Sequence, residues 1–190
     1  MTSTGARSAE AMLAVALAAA TNGDDDLAAT LESLDAPIYV TDAEGWIISF
    51  NRACIDFAGR TPIAGRDRWC VTWRLYSEQG AFLRHENCPM AVAIKQARRV
   101  RGAVAVAERP DGTRVMFTPY PTPILDEQGV VIGGVNMLID VTDERQACAL
   151  DTQAMRCRRL ASSLSDARTV TTLTGMAAEY EAKARELRQG

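Results

Sequence analysis

Residues 84–91 hold the only histidine of the chain, His85, and place Cys88 three residues after it. Imidazole and thiolate both suit haem iron, so this segment is the first place to look for a cofactor. One His–Cys pair without a required spacing is a weak signal. Asn87-Cys88-Pro89 is also a well-formed helix start, because proline in the first turn of a helix loses no hydrogen bond. We favour the helix start, with Asn87 as its N-cap, and keep haem as the alternative.

Two tryptophans, Trp69 and Trp73, lie four residues apart ahead of this segment. They could line a ligand cleft, but aromatic residues at helical spacing more often belong to a core, which we favour for this pair. Zinc binding through Cys70, His85 and Cys88 is less favoured than haem, because paired ligands at short spacing are absent. The candidate cofactor-binding residues are therefore His85, Cys88, Trp69 and Trp73.

Catalytic motifs are missing from the sequence, so we predict that the protein is not an enzyme. There is no G-x-S-x-G, P-loop or G-x-G-x-x-G pattern, and a catalytic triad would have to use the single histidine. No histidine follows residue 145, which excludes the phosphoacceptor helix of a histidine kinase. The five cysteines are odd in number and include no C-x-x-C pair, which favours a reducing compartment and a cytoplasmic location.

Composition limits the classes of partner. The 190 residues are 47% hydrophobic with a net charge of −3, enough for one domain with a real core, and no basic stripe favours nucleic-acid binding. The apolar run at residues 11–20 is too short to span a bilayer, which needs roughly 20 residues. Glu10 at its start and its high alanine content favour a packed helix over a signal peptide.

The order of β-rich and helical segments predicts an α+β domain. Residues 38–41 and 46–50 flank a tight turn that ends at Gly45, and Asn51 then caps a short helix. Further strands are predicted at 101–109, 113–125 and 130–142, with turns at Pro110-Asp111-Gly112 and at residues 126–129. This order predicts a five-stranded antiparallel sheet with short helices on one face, and residues 60–86 follow no regular pattern.

The remainder of the chain is predicted to form two helices. The first covers residues 142–164, and Ser165-Asp166 are a break followed by a new N-cap. In the second helix Leu173, Tyr180 and Leu187 belong to a coiled-coil-like apolar seam of nearly three heptads, which predicts a dimerisation surface. The seam could pack on the preceding helix or on another protomer, and the pattern alone leaves both open.

Several of these segments together resemble a known family. "LDAPIYVTDAEGWIISFNRACIDFAG", "ERPDGTRV" and "GGVNMLIDVTDER" look like the opening hairpin, a later hairpin and the last strand with exit helix of PAS sensory domains. The resemblance covers residues 31–145, with helical extensions at 1–30 and 146–190. It implies a cleft between sheet and helices that holds haem, flavin or a small molecule, or is empty. It also implies homodimerisation through the flanking helices.

The flavin photosensors of that family carry a reactive cysteine in a Gly-Arg-Asn-Cys-Arg-Phe segment. The comparable stretch here is "GRDRWCVTW", in which Arg68 occupies the position of that cysteine and Cys70 is displaced. We therefore expect no cysteinyl-flavin adduct.

The resemblance implies a cytoplasmic sensor or adaptor without an output domain of its own, which passes a ligand, redox or partner signal through its exit helix. Asp140 and Thr142, at the junction between last strand and helix, are the candidate relay residues. The receiver would be a dimer mate, a histidine kinase or a transcription regulator. The alternatives are a haem-dependent gas or redox sensor using His85 or Cys88, and a ligand-free structural dimerisation module.

Overall fold

The structure is a computed structural model that describes residues 3–22 and 26–189, and its contacts divide at Asp140 into two units. The described residues of the first unit form four α-helices: α1 (Ser3–Thr21), α2 (Leu27–Glu32), α3 (Arg52–Ala58) and α4 (Pro89–Lys95). Its strands are β1 (Ile38–Asp42), β2 (Ile47–Phe50), β3 (Arg74–Ser77), β4 (Phe82–Leu83), β5 (Ala105–Glu108), β6 (Arg114–Pro119), β7 (Thr122–Leu125) and β8 (Val131–Asp140).

All strand pairs are antiparallel, which confirms the predicted α+β class. The strand order is β2-β1-β8-β6-β5-β3-β4, and β7 pairs with β8 on the same side as β6. The ten-residue strand β8 therefore lies at the centre, in agreement with its nearly continuous apolar sequence. The five predicted strands are present in their predicted order.

The sheet has more strands than predicted for two reasons. The predicted strand at 113–125 divides into β6 and β7. Pro119 and Pro121 have no N–H to donate to a neighbouring strand, which interrupts the pairing between the two segments. Tyr120 between them donates its own N–H to Met137 of β8. The additional hairpin β3–β4 lies within the segment that showed no pattern. Its strands are four and two residues long, too short to produce a recognisable alternation.

Two hydrophobic clusters cover the two faces of the sheet. On one face, residues of α3 and α4, among them Phe57 and Met90, pack against Tyr39 of β1. On the other face Leu13 and Ala16 of α1 pack over β7 and β8. The apolar run at residues 11–20 is therefore a packed helix, as predicted. Within the described parts of the chain, no helix is both long and apolar enough to cross a membrane.

The side chain of Asn51 connects three segments at the edge of the core. Its Oδ1 accepts hydrogen bonds from the N–H of Cys54, as the predicted N-cap of α3, and from the N–H of Ile38. Its Nδ2 donates to the carbonyl oxygens of Leu31, Leu34 and Ala36. One buried amide thus satisfies five backbone groups, so that α2, β1 and α3 are fixed relative to one another.

We expect Asn51→Ala to lower the free energy of unfolding by at least about 3 kcal/mol, because it removes a helix cap and leaves several buried backbone groups without partners. Chemical denaturation measures the loss. Asn87→Ala is the matched control, since Asn87 is exposed and should change stability by less than about 0.5 kcal/mol. Equal losses in the two variants would contradict this role of Asn51.

The second unit is a helical hairpin of α5 (Thr142–Ser162) and α6 (Ala167–Leu187). Asp166 caps α6 by accepting a hydrogen bond of 2.8 Å from the N–H of Thr169, as the sequence predicted. The two helices pack against each other, so α6 has at least one of its two predicted partners, the preceding helix.

Candidate functional site

Three of the four candidate cofactor-binding residues come together beside the core, and the fourth does not. Trp69 and His85 line one pocket, and the Cys88 thiol donates to the Trp69 carbonyl oxygen at 3.7 Å. Trp73 immediately precedes β3 and is 49% exposed, whereas Trp69 is 7% exposed. The core interpretation is thus correct for Trp69 and wrong for Trp73, because this segment is not helical and the two rings do not share a face.

The helix after His85 begins one residue later than predicted. His85–Asn87 form a turn of 3-10 helix, and Cys88 occupies the N-cap position of α4 without a side-chain capping bond. Pro89 stands at the first helical position, as expected. Asn87 is therefore not the N-cap, and the Cys88 side chain is directed to the core, where only 1% of the residue is exposed.

The backbone of Trp69 adopts a rare conformation that hydrogen bonds hold in place. Its φ of +69° lies in the left-handed region, which a bulky residue seldom occupies. Its N–H donates to the carbonyl oxygen of Gly45 at 2.7 Å, and its own carbonyl accepts from the Tyr39 hydroxyl at 2.9 Å and from Cys88. Such conformations persist only where the surroundings fix them, and they concentrate at functional sites.

The indole ring of Trp69 lies directly on Gly45. A Cβ atom at Gly45 would stand 2.2 Å from Cε3 of the ring, so no other residue fits there without a shift. Two cations flank the same ring: the guanidinium carbon of Arg68 is 4.8 Å from its centroid and Nζ of Lys95 is 5.3 Å away. Cation–π attraction therefore adds to the packing that holds Trp69.

We expect Gly45→Ala to destabilise the protein by about 1–3 kcal/mol more than Gly129→Ala. Both glycines have a positive φ, +87° and +81°, so both variants carry a similar backbone strain. Only Gly45 contacts Trp69, whereas a Cβ at Gly129 meets no atom within 4 Å. Thermal unfolding and tryptophan fluorescence give the comparison; the same loss in both variants would show that the ring does not depend on Gly45.

The pocket beside Trp69 has a volume of about 430 Å³ and is predominantly basic. Its lining residues are Arg66, Asp67, Arg68, Trp69, His85, Glu86 and Lys95. Both acids have an arginine partner, since Asp67 pairs with Arg60 and Glu86 pairs with Arg84. The positive charges of the lining are consequently not balanced by its carboxylates, and the pocket attracts anions.

A chain of polar groups connects the pocket with the central strand. Nε2 of His85 lies 3.3 Å from Oγ1 of Thr72, which donates to Sγ of Cys70 at 3.2 Å. The Tyr39 hydroxyl and the Cys70 thiol are close enough to shift each other's pKa, and Nδ2 of Asn136 on β8 donates to that hydroxyl at 2.9 Å. Because Thr72 directs its hydrogen at Cys70, it can accept only from an Nε2–H tautomer of His85.

The ionisable side chains of this polar series, and the neighbouring Cys88, are neutral near pH 7. Burial raises the pKa of Cys88 to about 12 and raises the pKa values of Cys70 and Tyr39 as well. Burial, assisted by the Arg60 guanidinium, lowers the pKa of His85. The thiols are therefore not nucleophiles, since reactivity requires the thiolate.

Binding of haem iron would disrupt existing contacts of both Cys88 and His85. Cys88 would have to lose its proton and its contact with Trp69 to bind iron as a thiolate, and His85 would have to release Thr72. The geometry fits Cys88 poorly and leaves His85 as the more accessible of the two. Among residues 3–22 and 26–189, no group of three or more His, Cys, Asp or Glu side chains could hold a metal ion.

We expect the wild-type protein to lose stability relative to His85→Gln as the pH falls below about 6.5. The unfolded chain binds a proton near the ordinary pKa of 6.5, whereas the folded protein binds it only at lower pH. The contribution is fully present above pH 6.5 and decreases until the folded-state pKa is passed. Urea titrations of both proteins between pH 5 and 8 measure how their free energies of unfolding differ. If both free energies change equally with pH, His85 is not a buried member of this polar series.

The relay and dimerisation candidates belong to other parts of the structure. Asp140 is the last residue of β8 and Thr142 the first of α5, with Val141 at the N-cap position. Leu173 and Tyr180 lie on α6, where they are half-buried. None of them lines the pocket beside Trp69, so the cofactor-binding candidates and the relay and dimerisation candidates lie in separate places.

Sequence reasoning missed most of the polar chain. Tyr39 and Asn136 are 97 positions apart, and only the pairing of β1 with β8 brings them together. Asn136 gave one signal that could have been used, because it is a polar residue inside a nearly continuous apolar strand. The basic lining residues Arg66 and Lys95 gave none.

Comparison of the sequence with protein families identifies one match, the PAS fold, over residues 31–146. The match covers more than half of the chain. The chain belongs to the PAS fold family. It therefore carries a sensory signalling type of domain, and the resemblance of residues 31–145 is confirmed. The comparison with curated proteins finds no match.

Solved structures with PAS or LOV folds are similar to this PAS protein at low sequence identity. An RNA-binding light-oxygen-voltage receptor is 19% identical over 66% of this chain and 34% of its own, with a TM-score of 0.48. The Rhodobacter sphaeroides LOV protein is 12% identical over 86% and 94%, with a TM-score of 0.43. The PAS domain of the fruit-fly ELK potassium channel is 13% identical over 62% and 96%, with a TM-score of 0.48. This chain spans about a third of the length of the RNA-binding receptor.

Proposed function

We propose that this protein is a cytoplasmic PAS sensor that binds a small anionic ligand in the pocket beside Trp69 and relays binding through its exit helix. The observation that supports it is the series of buried polar groups that runs from the pocket to β8: His85, Thr72, Cys70, Tyr39 and Asn136. The Trp69 carbonyl joins the same series through its hydrogen bond from the Tyr39 hydroxyl. In this proposal residues 1–30 are an extension, residues 31–145 sense, and residues 146–190 transmit.

The ligand class follows from the charges of the pocket. Arg66, Arg68 and Lys95 line the pocket, while both acidic lining residues already have arginine partners. Arginine favours carboxylate and phosphate groups because its planar donors match two oxygens at once. Neutral His85, whose Nε2–H is donated to Thr72, can accept one further hydrogen bond at Nδ1.

The relay would operate through the buried polar groups. A ligand that displaces His85 or Trp69 alters the partners of Thr72 or Tyr39, and each lost partner leaves a buried group unsatisfied. The lowest-energy response is a joint shift of these buried polar groups, including Asn136 on β8. Since β8 ends at Asp140 and the exit helix begins at Thr142, the shift reaches the output junction. The ligand acts by binding the two states unequally.

In this proposal the signal is received by a dimer mate, a histidine kinase or a transcription regulator. The protein itself is proposed to catalyse no reaction. The protonated buried thiols support a binding function rather than nucleophilic chemistry.

A ligand-free structural module is the second candidate, and the packing between sheet and helices favours it. Tyr39, Phe57, Met90 and Phe117 are buried in one cluster there, and Phe57 and Phe117 meet edge to face at 5.3 Å. A haem sensor is the third. A Soret band in protein expressed with added haem, lost in His85→Ala, would favour it over both.

The sensor proposal is tested with citrate as the anionic probe. We expect citrate to change tryptophan fluorescence saturably, and Arg66→Gln to weaken its affinity about five-fold, the equivalent of about 1 kcal/mol. Arg99→Gln is the matched control, because Arg99 is an exposed arginine that does not line this pocket. Hydrogen exchange should then show altered protection in β8 and in the first turn of α5.

The relay is tested separately with Thr72→Val, which removes the hydroxyl between His85 and Cys70 at similar volume. We expect this variant to bind citrate but to lose the exchange response in β8 and α5. Thr118→Val should keep the response, because Thr118 lies on β6 and is not one of the polar groups between His85 and Asn136. Equal affinity in the Arg66 and Arg99 variants would refute the anion site, and an unchanged response in Thr72→Val would refute the relay.

A further inference from the structure

Arg68 is held by three contacts, although no acidic side chain pairs with it. Its guanidinium carbon lies 5.0 Å from the ring centroid of Trp46 and 4.8 Å from that of Trp69. Its Nε donates a hydrogen bond of 2.7 Å to the carbonyl oxygen of Glu44. Within the described parts of the chain no carboxylate forms an ion pair with Arg68, so its positive charge is fixed in position but is not neutralised.

The backbone explains why the first indole reaches this arginine. Trp46 forms an antiparallel bridge with Arg68 at the edge of β2. One backbone hydrogen bond flanks the bridge on each side: Ile47 N–H to the Asp67 oxygen at 3.0 Å, and Trp69 N–H to the Gly45 oxygen at 2.7 Å. The two bridged residues are therefore a non-hydrogen-bonded pair, which is the type of pair in which opposite side chains stand closest.

The second indole reaches Arg68 because the backbone of Trp69 leaves the strand conformation. Successive side chains of an extended strand point to opposite faces, so a regular strand would turn the Trp69 ring away from Arg68. The positive φ of Trp69 interrupts this alternation. The same backbone turn that places the ring on Gly45 therefore also brings it to the guanidinium group.

These contacts distinguish Arg68 from the other two cations of the pocket. A surface arginine loses rotamer freedom when it binds a ligand, and this entropy cost weakens binding, whereas the fold already restricts Arg68. Arg66 is exposed, and among the described residues no side-chain hydrogen bond or ring contact holds it. Lys95 donates to the carbonyl oxygen of Glu86 at 2.5 Å, but its ammonium group is a point charge without a planar fork.

The unoccupied edge of the guanidinium group determines what it can bind. Nε is bonded to Glu44, so a ligand in the pocket meets the outer edge formed by Nη1 and Nη2 of Arg68. This edge presents two parallel N–H groups, which match two oxygens of one carboxylate or phosphate group. A single-atom anion such as chloride can use the charge of Arg68 but not the paired donors.

We propose that Arg68 binds the oxyanion group of the ligand directly, through both terminal nitrogens, and that Trp46 is a positioning residue that holds Arg68 for this contact. The ligand class is thereby narrowed from a small anion to one with two oxygens on the same atom. The inference rests on the proposed anion pocket, in which Arg66 and Lys95 add charge. It also gives a role to Trp46, which does not line that pocket.

The first test replaces arginine by lysine and so keeps the charge. Isothermal titration calorimetry of the full chain measures the affinity for citrate and for inorganic phosphate. We expect Arg68→Lys to weaken binding about ten-fold, since lysine has neither the fork nor the planar contact with the indoles. Arg66→Lys is the comparison at the same pocket and should weaken binding about two-fold, because Arg66 contributes mainly its charge. Binding of citrate alone assigns the site to carboxylates, and binding of phosphate alone assigns it to phosphates.

The positioning role is tested with two substitutions of Trp46. Trp46→Phe keeps an aromatic face beside Arg68 and should keep the affinity within about two-fold, whereas Trp46→Leu should weaken it about five-fold. Trp46 is 38% exposed, so neither variant opens the core, and thermal unfolding shows the stability of each. If Trp46 had only a structural role, the affinity would follow the thermal midpoint rather than the presence of an aromatic ring. Equal affinities in the two variants would overturn the positioning role.

The outcomes separate this inference from the proposed function. Binding that Arg66→Gln weakens but Arg68→Lys leaves unchanged would overturn the role of Arg68 and keep the anion pocket. A wild-type chain that binds neither citrate nor phosphate would overturn the pocket and this inference with it. If Arg68→Lys does not fold, the two Trp46 variants decide the question, because they leave Arg68 itself in place.

Discussion

The carbonyl group of Trp69 accepts hydrogen bonds from the Tyr39 hydroxyl and the Cys88 thiol, and the arrangement of the site depends on them. These bonds hold a bulky residue at positive φ, which places its indole on Gly45 and under Arg68 and Lys95. A strained backbone fixed at both its N–H and its C=O has few alternative conformations of similar energy. A substitution at Gly45, Tyr39 or Cys88 therefore alters the position of the Trp69 backbone, to which all three are hydrogen-bonded.

The same hydrogen bonds join Trp69, which lines the pocket, to Asn136 on the central strand through the Tyr39 hydroxyl. Each of Tyr39, Thr72 and Asn136 is almost completely buried, so each must keep a hydrogen-bond partner or bear a desolvation cost. The protonated thiols of Cys70 and Cys88 fit this role, because a thiol can be a hydrogen-bond partner at little desolvation cost.

The helical hairpin obeys a different constraint. Four buried alanines let α5 and α6 approach closely: Ala147, Ala154, Ala177 and Ala184. The ion pairs Arg158–Glu181 and Asp151–Arg188 also join the two helices, but neither feature buries much apolar surface. Leu160 and Met176 lie outside this packing, where they remain 53% and 39% exposed.

Local patterns in the sequence determined much of this architecture. The β1–β2 hairpin, the Asn51 cap, the apolar centre of β8 and the Asp166 cap were predictable because neighbouring residues specify turns, caps and alternation. The sequence also singled out His85, Cys88 and Trp69. It could not separate the buried Trp69 from the exposed Trp73, since that depends on the backbone turn at Trp69. Strand pairing alone joined Tyr39 to Asn136, because a hydrogen bond across 97 residues leaves no local signal in either segment.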